Sequence, residues 1–216
     1  MPSYLRRIRL MGLTWPRLIV VALVCLLVVG IAVPGHTANI ICYKVTSLMW
    51  DAAQDRAIPT SPAILERLAR AFKLWEDASA GALHFQFASH DAPSYDGTAQ
   101  IPYDGCVHAV LHGERNFHGE LAHGGFSGTI PHSYKRGHFF VSRKSEAMQL
   151  DTLTHEIGHT LGLPHAATPR SIMFSGPRAV GNDPLTLGEQ DAANLRATWA
   201  PGSLDLYTIE GVIVVL

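Results

Sequence analysis

The spacing of apolar residues predicts a helix in the segment SPAILERLARAFKLWEDAS, which begins at Ser61. From Ile64 to Trp75, apolar side chains recur every three or four positions, and this gives the helix one apolar stripe that faces a core. Ser61 is a suitable N-cap, and Pro62 takes the first helical position, where a missing N–H leaves no hydrogen bond unmade.

Short runs rich in β-branched and aromatic residues predict strands. They are NIICYKVT (39–46), LHFQFAS (83–89), CVHAVLHG (106–113) and GHFFVS (137–142). Residues 113–136 are glycine-rich and are predicted to be irregular around a candidate edge strand, ELAHGG. Two more helices are predicted, one from near Ser145 through EAMQLDTLTHEIGHTLG and one over LGEQDAANLRATW. This order of elements predicts an α/β sandwich around one twisted sheet.

The first 38 residues have the composition of an export segment. Four arginines precede LIVVALVCLLVVGIAV, an uncharged run of 16 residues at positions 18–33. This run is shorter than the roughly 20 residues that span a bilayer, which favours a secretory signal. Cleavage after Ala38 is one outcome, although His36 is unfavourable at the third position before the cut. An uncleaved N-terminal membrane anchor is the alternative, and both place the domain outside the cytosol.

Composition and cysteine count further narrow the class of protein to which the chain can belong. Hydrophobic residues make up 47% of the chain, enough for a core, and the net charge of −1 argues against a nucleic-acid surface. Twelve histidines fit a metalloprotein. Apart from Cys25 in the export segment, the chain has only Cys42 and Cys106. An even pair in an oxidising compartment favours one disulfide, and two buried free thiols are the alternative.

The segment THEIGHTLGLPH carries the chemistry. His155 and His159 are four residues apart on a helix and therefore lie on one face. Gly162 can take the left-handed conformation that ends helices, and the following chain can then bring His165 towards the first two. Three neutral imidazoles with an open fourth position are typical of a catalytic zinc site. Glu156 is then placed to act as general base on the zinc-bound water.

Two alternatives to this interpretation stay open at this point. The histidines could belong to a surface helix that binds no metal. Another divalent ion could also replace zinc, although three nitrogen ligands in a tetrahedral site favour zinc.

These residues resemble the metzincin metalloproteases. HEIGHTLGLPH matches the zinc motif of that clan, and Met173 in SIMF matches the methionine turn beneath the metal. Met173 follows His165 by the short spacing of the matrixins, the family of the matrix metalloproteinases. Ser175 stands where astacins and serralysins carry a tyrosine.

The resemblance extends over about residues 39–200, with AFKLWEDAS similar to the first matrixin helix. It implies an α/β, zincin-like catalytic domain at 39–201, with one twisted, mostly parallel five-stranded sheet and three helices. Residues 1–38 are then the signal or anchor, and residues 202–216 form a tail that could add a strand or cover an apolar patch.

The resemblance also implies a second, structural zinc. Carried over residue by residue, its ligands are His112, Glu114, His123 and His138. The family usually has aspartate at the position of Glu114, and His118 or His132 could substitute as ligands. The alternative is that these are ordinary loop or core residues. Calcium is not predicted, because Phe140 and His118 stand where the family has acidic residues.

Two further features follow from the resemblance. The first and third strands of the clan's sheet are neighbours, which makes a Cys42–Cys106 bridge sterically reasonable. No inhibitory propeptide fits before the first strand, so we expect an enzyme that needs no such activation.

The resemblance places an extended peptide substrate against the edge strand around Leu121 and Ala122, where backbone pairing supplies affinity. Asp151 matches a position that lines the adjoining pocket. It would favour a basic residue just after the scissile bond, or it is an ordinary solvated helix aspartate; profiling with a random peptide library separates the two.

The leading expectation is an exported, monomeric zinc endopeptidase that cleaves proteins or peptides. It binds no nucleic acid and meets a membrane only through an N-terminal anchor. The first alternative is a zinc-binding but non-hydrolytic interaction domain, which would have no need of Glu156. The second is an anchored scaffold protein.

Overall fold

The structure is a computed structural model that describes most of the chain after residue 37. The described residues are 38–93, 100–112, 121–142, 144, 148–176, 186–200, 203, 206–209 and 212–215. Contacts divide the chain into Met1–Thr37 and Ala38–Leu216. The predicted export segment therefore lies outside the described residues except for Ala38. None of the helices in the described part is both long and apolar enough to cross a membrane.

Nine strands and three helices make up the described part of the chain. The strands are β1 (Asn39–Val45), β2 (Leu48–Asp51), β3 (Arg56–Pro59), β4 (Leu83–Ser89), β5 (Cys106–Val110), β6 (Ala122–Ile130), β7 (Ser133–Val141), β8 (Leu206–Ile209) and β9 (Val212–Val215). The helices are α1 (Pro62–Ala78), α2 (Leu150–Thr160) and α3 (Glu189–Thr198).

The main sheet has the strand order β4-β1-β5-β7-β6-β8-β9. The first four strands in this order are mutually parallel, and β6 pairs antiparallel with β7. These five strands and three helices confirm the predicted mixed α/β fold with a mostly parallel five-stranded sheet. The tail extends the sheet, since the β8–β9 hairpin pairs with β6 at Thr129 and Ile130.

The chain from residue 122 to 136 differs from the sequence-based expectation. It is not irregular: nine-residue strands β6 and β7 pair along nearly their whole length. Gly124 and Gly125 keep strand conformation, and only Gly128, at a register shift, has a positive φ of 100°. Glycines that predict a break were therefore accommodated within one long strand.

Two other features also differ from the prediction, a missed hairpin and the start of a helix. The short β2–β3 hairpin was not predicted, because its connection lacks a glycine turn. It is closed instead by Asp51, whose carboxylate accepts hydrogen bonds from the N–H groups of Ala53 and Gln54. Helix α2 begins at Leu150 after Gln149 rather than near Ser145.

Helix α1 follows the prediction closely. The Ser61 side chain accepts a hydrogen bond from the Ile64 N–H, and Pro62 is the first helical residue. The apolar stripe of α1 is buried, and the Trp75 indole donates to the Thr154 carbonyl oxygen at 2.8 Å. This bond fixes α1 against α2, the helix that carries the histidine motif.

The core forms between the helices and alternate residues of the strands. Residues such as Tyr43, Val107 and Phe139 point into it, packed with the buried faces of the helices. On the opposite face of the sheet, Val110 and Phe140 form a small second cluster with Ile101. The two faces of the sheet therefore differ: one packs against the helices, and the other carries this smaller cluster.

Candidate metal centre

The end of α2 is shaped to turn the chain back towards its own histidines. Gly162 has a φ of 86°, the left-handed conformation expected from the sequence. The Gly162 N–H donates to the His159 carbonyl oxygen and the Leu163 N–H to that of Gly158, both at 3.1 Å. These are the two hydrogen bonds of a Schellman motif. Helix α2 therefore ends abruptly, and His165 returns beside it.

The three motif histidines come together at one point. The Nε2 atom of His159 lies 3.1 Å from Nε2 of His155 and 3.2 Å from Nε2 of His165. A tetrahedral zinc ion with Zn–N distances of about 2.0–2.1 Å separates its ligand nitrogens by about 3.3–3.4 Å. Among the described residues, these three histidines are the one group whose ligand atoms could hold a metal ion.

Backbone carbonyl groups orient two of the imidazoles. The Nδ1–H of His155 donates to the Ile172 carbonyl oxygen at 2.7 Å, and that of His159 donates to the Leu163 carbonyl oxygen at 2.8 Å. Because a carbonyl oxygen can only accept, each ring is fixed with its Nε2 lone pair towards the shared point. Burial and the neighbouring His155 lower the pKa of His159 to about 3, so this imidazole is neutral at physiological pH.

The chemistry of the donor set fits a divalent cation. Three imidazole nitrogens converge, and the buried Glu156 carboxylate lies next to the first of them in sequence. A buried carboxylate is costly unless it is compensated by a cation or hydrogen bonds. The residues present therefore fit a divalent metal ion such as zinc, with a carboxylate next to the first histidine.

Met173 packs tightly beneath the helix that carries the ligands. It is buried, and a Cβ added to Gly158 would overlap its sulfur atom and lie 2.8 Å from the Trp75 ring. Gly158 therefore lets α2 lie against Met173, although glycine inside a helix costs about 1 kcal/mol. Met173 therefore packs against the helix that carries His155 and His159, and its role as a methionine turn stays a prediction.

Sequence reasoning missed the role of Asp191. This residue of α3 is buried, and its carboxylate accepts hydrogen bonds from the Ser171 hydroxyl and from the Ile172 N–H at 3.0 Å. The carbonyl oxygen of Ile172 is the acceptor that orients His155. Helix α3 therefore fixes the backbone of Ile172, and this backbone in turn orients His155. The sequence signal was an acidic residue on the apolar step Leu187, Leu195 and Trp199.

The other predicted site residues occupy varied positions. Leu121 and Ala122 lie at the start of β6, whose pairing with β8 is confined to its far end. Asp151 is in the first turn of α2, one helical turn before His155, and its carboxylate accepts from the Thr152 N–H. Their roles towards a substrate stay predictions.

The cysteines expected to pair do so. Cys42 of β1 and Cys106 of β5 stand at matched positions in the parallel pair and form a disulfide with a Cα–Cα distance of 4.5 Å. The bridge lies on the sheet face away from the helices.

The second predicted metal site is not assembled in the described part of the chain. Glu114 and His118 lie outside the described residues. His112 packs its ring against Trp50, His123 is exposed, and His138 sits within β7. Burial lowers the pKa of His138 to about 4, and nearby Arg136 contributes. No ligand group forms from the described members, and the second zinc stays a prediction.

A buried histidine that the sequence analysis did not single out lies on the same face of the sheet as the disulfide. His108 is fully buried and donates from Nε2 to the Asp104 carboxylate at 2.9 Å. Asp104 also accepts from the Cys106 N–H and pairs with Lys44 at 3.2 Å. This network ties the start of β5 to β1 next to the disulfide.

Comparisons with known proteins agree with the motif. The family model for matrixin (peptidase M10) matches residues 42–200. A curated protein of Heliothis virescens ascovirus 3e, named "Putative matrix metalloproteinase", is 24% identical over 171 residues, covering 67% of this chain and 33% of its own length. The chain thus spans about a third of that relative.

Two solved structures are also similar. One is a chain of the GM1-bound ECX AB5 holotoxin, with 15% identity and a TM-score of 0.47, covering 77% of this chain and 82% of that chain. The other is archaemetzincin of Methanopyrus kandleri, with 12% identity and a TM-score of 0.45, covering 77% of this chain and 98% of that chain.

Proposed function

The chain belongs to the matrixin family, and from this premise we propose that it is an exported zinc endopeptidase that hydrolyses protein or peptide substrates. The observation that carries the proposal is the convergence of three Nε2 atoms, 3.1 and 3.2 Å apart, beside the buried Glu156. The family match and the name of the viral relative support the same class of activity.

His155, His159 and His165 would hold the ion through Nε2. Zinc bound there would supply a water acidified towards about neutral pH and would polarise the substrate carbonyl. The backbone carbonyl groups of Ile172 and Leu163 keep two of the rings in the ligating orientation. Preorganised ligands need little rearrangement on metal binding, which favours high affinity.

Glu156 would act as the general base and then as the acid. Its carboxylate accepts a proton from the attacking water and returns it to the leaving amine. A positioned acid–base group of this kind typically contributes about 10²–10⁴-fold in rate. An extended peptide would pair with β6 near Leu121 and Ala122, which brings its scissile bond in front of α2.

The test is proteolysis by the purified chain of casein and of a random peptide library, with and without a chelator, followed by addition of zinc. We expect chelator-sensitive cleavage that zinc restores. Glu156→Ala should lower the rate by about 10²–10⁴-fold with one zinc ion per chain retained. Glu66→Ala, which removes an exposed carboxylate on α1, is the matched control.

Two results would reject the proposal. Cleavage that is unaffected by removal of Glu156 would exclude the mechanism. Zinc binding without any cleavage, in the wild type and over the whole peptide library, would favour the non-hydrolytic interaction domain.

A further inference from the structure

Strand β6 lies close against α2 at Gly124. A Cβ added to this residue would lie 2.7 Å from the main-chain oxygen of Glu156, 2.9 Å from its Oε2 atom and 3.2 Å from the Cβ of His159. Real Cβ atoms essentially never come within 3.0 Å of such atoms. The absence of a side chain at Gly124 is therefore what allows the strand to lie against the helix at the proposed base.

The backbone conformation of Gly124 does not require glycine. Its φ is not positive, and the residue pairs with Phe139 of β7 within the sheet. Glycine inside a strand costs about 0.5–1 kcal/mol relative to alanine. A glycine in the middle of a regular strand often marks the close approach of another backbone, and here that backbone belongs to α2.

The two Glu156 groups that a Cβ at position 124 would meet differ in how far they can move. The Glu156 main-chain oxygen belongs to the interior of α2 and can move only if the helix moves. Helix α2 is itself held by Trp75 on one side and by Met173 at Gly158. The Glu156 carboxylate can rotate about its side-chain bonds. A methyl group at position 124 would therefore displace the carboxylate, or push the strand away from the helix.

We propose that Gly124 is a positioning residue, whose missing side chain sets the distance between β6 and α2 and so fixes the Glu156 carboxylate relative to a peptide aligned on β6. The inference rests on the proposed function, since it concerns the base of that reaction. It adds a specific geometric requirement. The absence of a side chain at Gly124 sets the distance between the strand that aligns the substrate and the carboxylate that takes the proton.

Gly125 provides a matched control on the next residue of the same strand. A Cβ there would meet only the His138 ring, at 3.8 and 3.9 Å, which is ordinary contact. Gly124→Ala and Gly125→Ala change the chain in the same chemical way on opposite faces of the sheet. Their difference isolates the contact with Glu156.

The first experiment compares the kinetics of the two variants as zinc-loaded proteins. Gly124→Ala should lower kcat at least about tenfold, with KM and zinc content near those of the wild type, because a misplaced base slows proton transfer. The acid limb of its pH profile should also shift. Gly125→Ala should stay within about twofold of the wild type. Equal kcat values and pH profiles in both variants would overturn the proposal.

A second experiment needs no catalytic activity and so separates this inference from the proposed function. Urea unfolding gives the effect of Gly124→Ala in the wild type and in Glu156→Ala, where the Oε2 contact no longer exists. We expect Gly124→Ala to lower the urea midpoint, or the yield of folded protein, less in the Glu156→Ala background. If Gly124→Ala lowers stability equally in both backgrounds, its cost does not depend on the Glu156 carboxylate, and the proposal is overturned. If the wild type is inactive but the variants still show this coupling, the proposed protease function is rejected and the contact between Gly124 and Glu156 stands.

Discussion

Replacing Asp191 tests whether helix α3 controls the metal centre from a distance. The carboxylate accepts hydrogen bonds from the Ile172 N–H, at 3.0 Å, and from the Ser171 hydroxyl, and it does not touch the three histidines. Ile172 in turn presents the carbonyl oxygen that orients His155. A change at Asp191 should therefore reach the metal through one turn of backbone.

The expected magnitude follows from the groups that would lose their acceptor. Asp191→Ala leaves two buried donors unsatisfied, at about 1–3 kcal/mol each, so the free energy of unfolding should fall by about 2–6 kcal/mol. Asp191→Asn keeps one accepting oxygen in nearly the same shape and should cost about 1–2 kcal/mol. Loss of a group that supports a ligand typically weakens metal binding about 10–100-fold, and we expect about tenfold for Asp191→Asn.

Zinc affinity would be measured by competition with a chromophoric chelator, and stability by urea unfolding of the metal-free protein. Glu189→Gln is the matched control, because it changes an acidic residue in the same helical turn that contacts Arg196 on the surface. An Asp191→Asn protein that is less stable but binds zinc with wild-type affinity would refute the connection. Asp191 would then support the fold alone.

Two further predictions concern the opposite face of the sheet. Cys42→Ser should lower the free energy of unfolding by about 4 kcal/mol, because the Cys42–Cys106 bridge closes a loop with a sequence separation of 64. Urea unfolding with and without dithiothreitol measures this contribution. A wild type whose stability does not change with the reductant would contradict the prediction. Partial burial of Asp104 opposes its ionisation, but hydrogen bonds from His108, the Cys106 N–H and Lys44 lower its pKa below the usual 3.8. Its charge therefore stabilises the fold above pH 3.8, and this contribution is lost as the pH falls through the lowered pKa. Asp104→Asn should flatten the acid decline in unfolding free energy, and identical pH slopes in both proteins would count against the network.

The three proposed zinc ligands could be located from sequence because they are local. His155, His159 and His165 fall within eleven residues, and helix periodicity with a glycine stop is enough to bring them together. The apolar stripe of α1 was equally legible, since its spacing reflects one buried face. Position in sequence and position in space nearly coincide for these features.

Features that depend on distant partners were not accessible in the same way. Asp191 looked like one polar residue on a helix, because its partners Ser171 and Ile172 lie about twenty residues earlier in the chain. The glycines of β6 predicted irregular structure, and only the packing of α2 against Gly124 shows why the strand tolerates one of them. The tail gave no signal for pairing with β6, because strand partners are not encoded in local composition.

The position of His159 along α2 has an electrostatic consequence. His159 is in the last turn of α2, and the Schellman motif follows directly. Aligned peptide dipoles place about half a negative charge at this end of a helix. A dication beside the terminus gains about twice the attraction that a single proton on an imidazole gains, since the interaction scales with charge. The helix end thus favours a metal ion over a proton at His159, a preference that comes from the backbone itself.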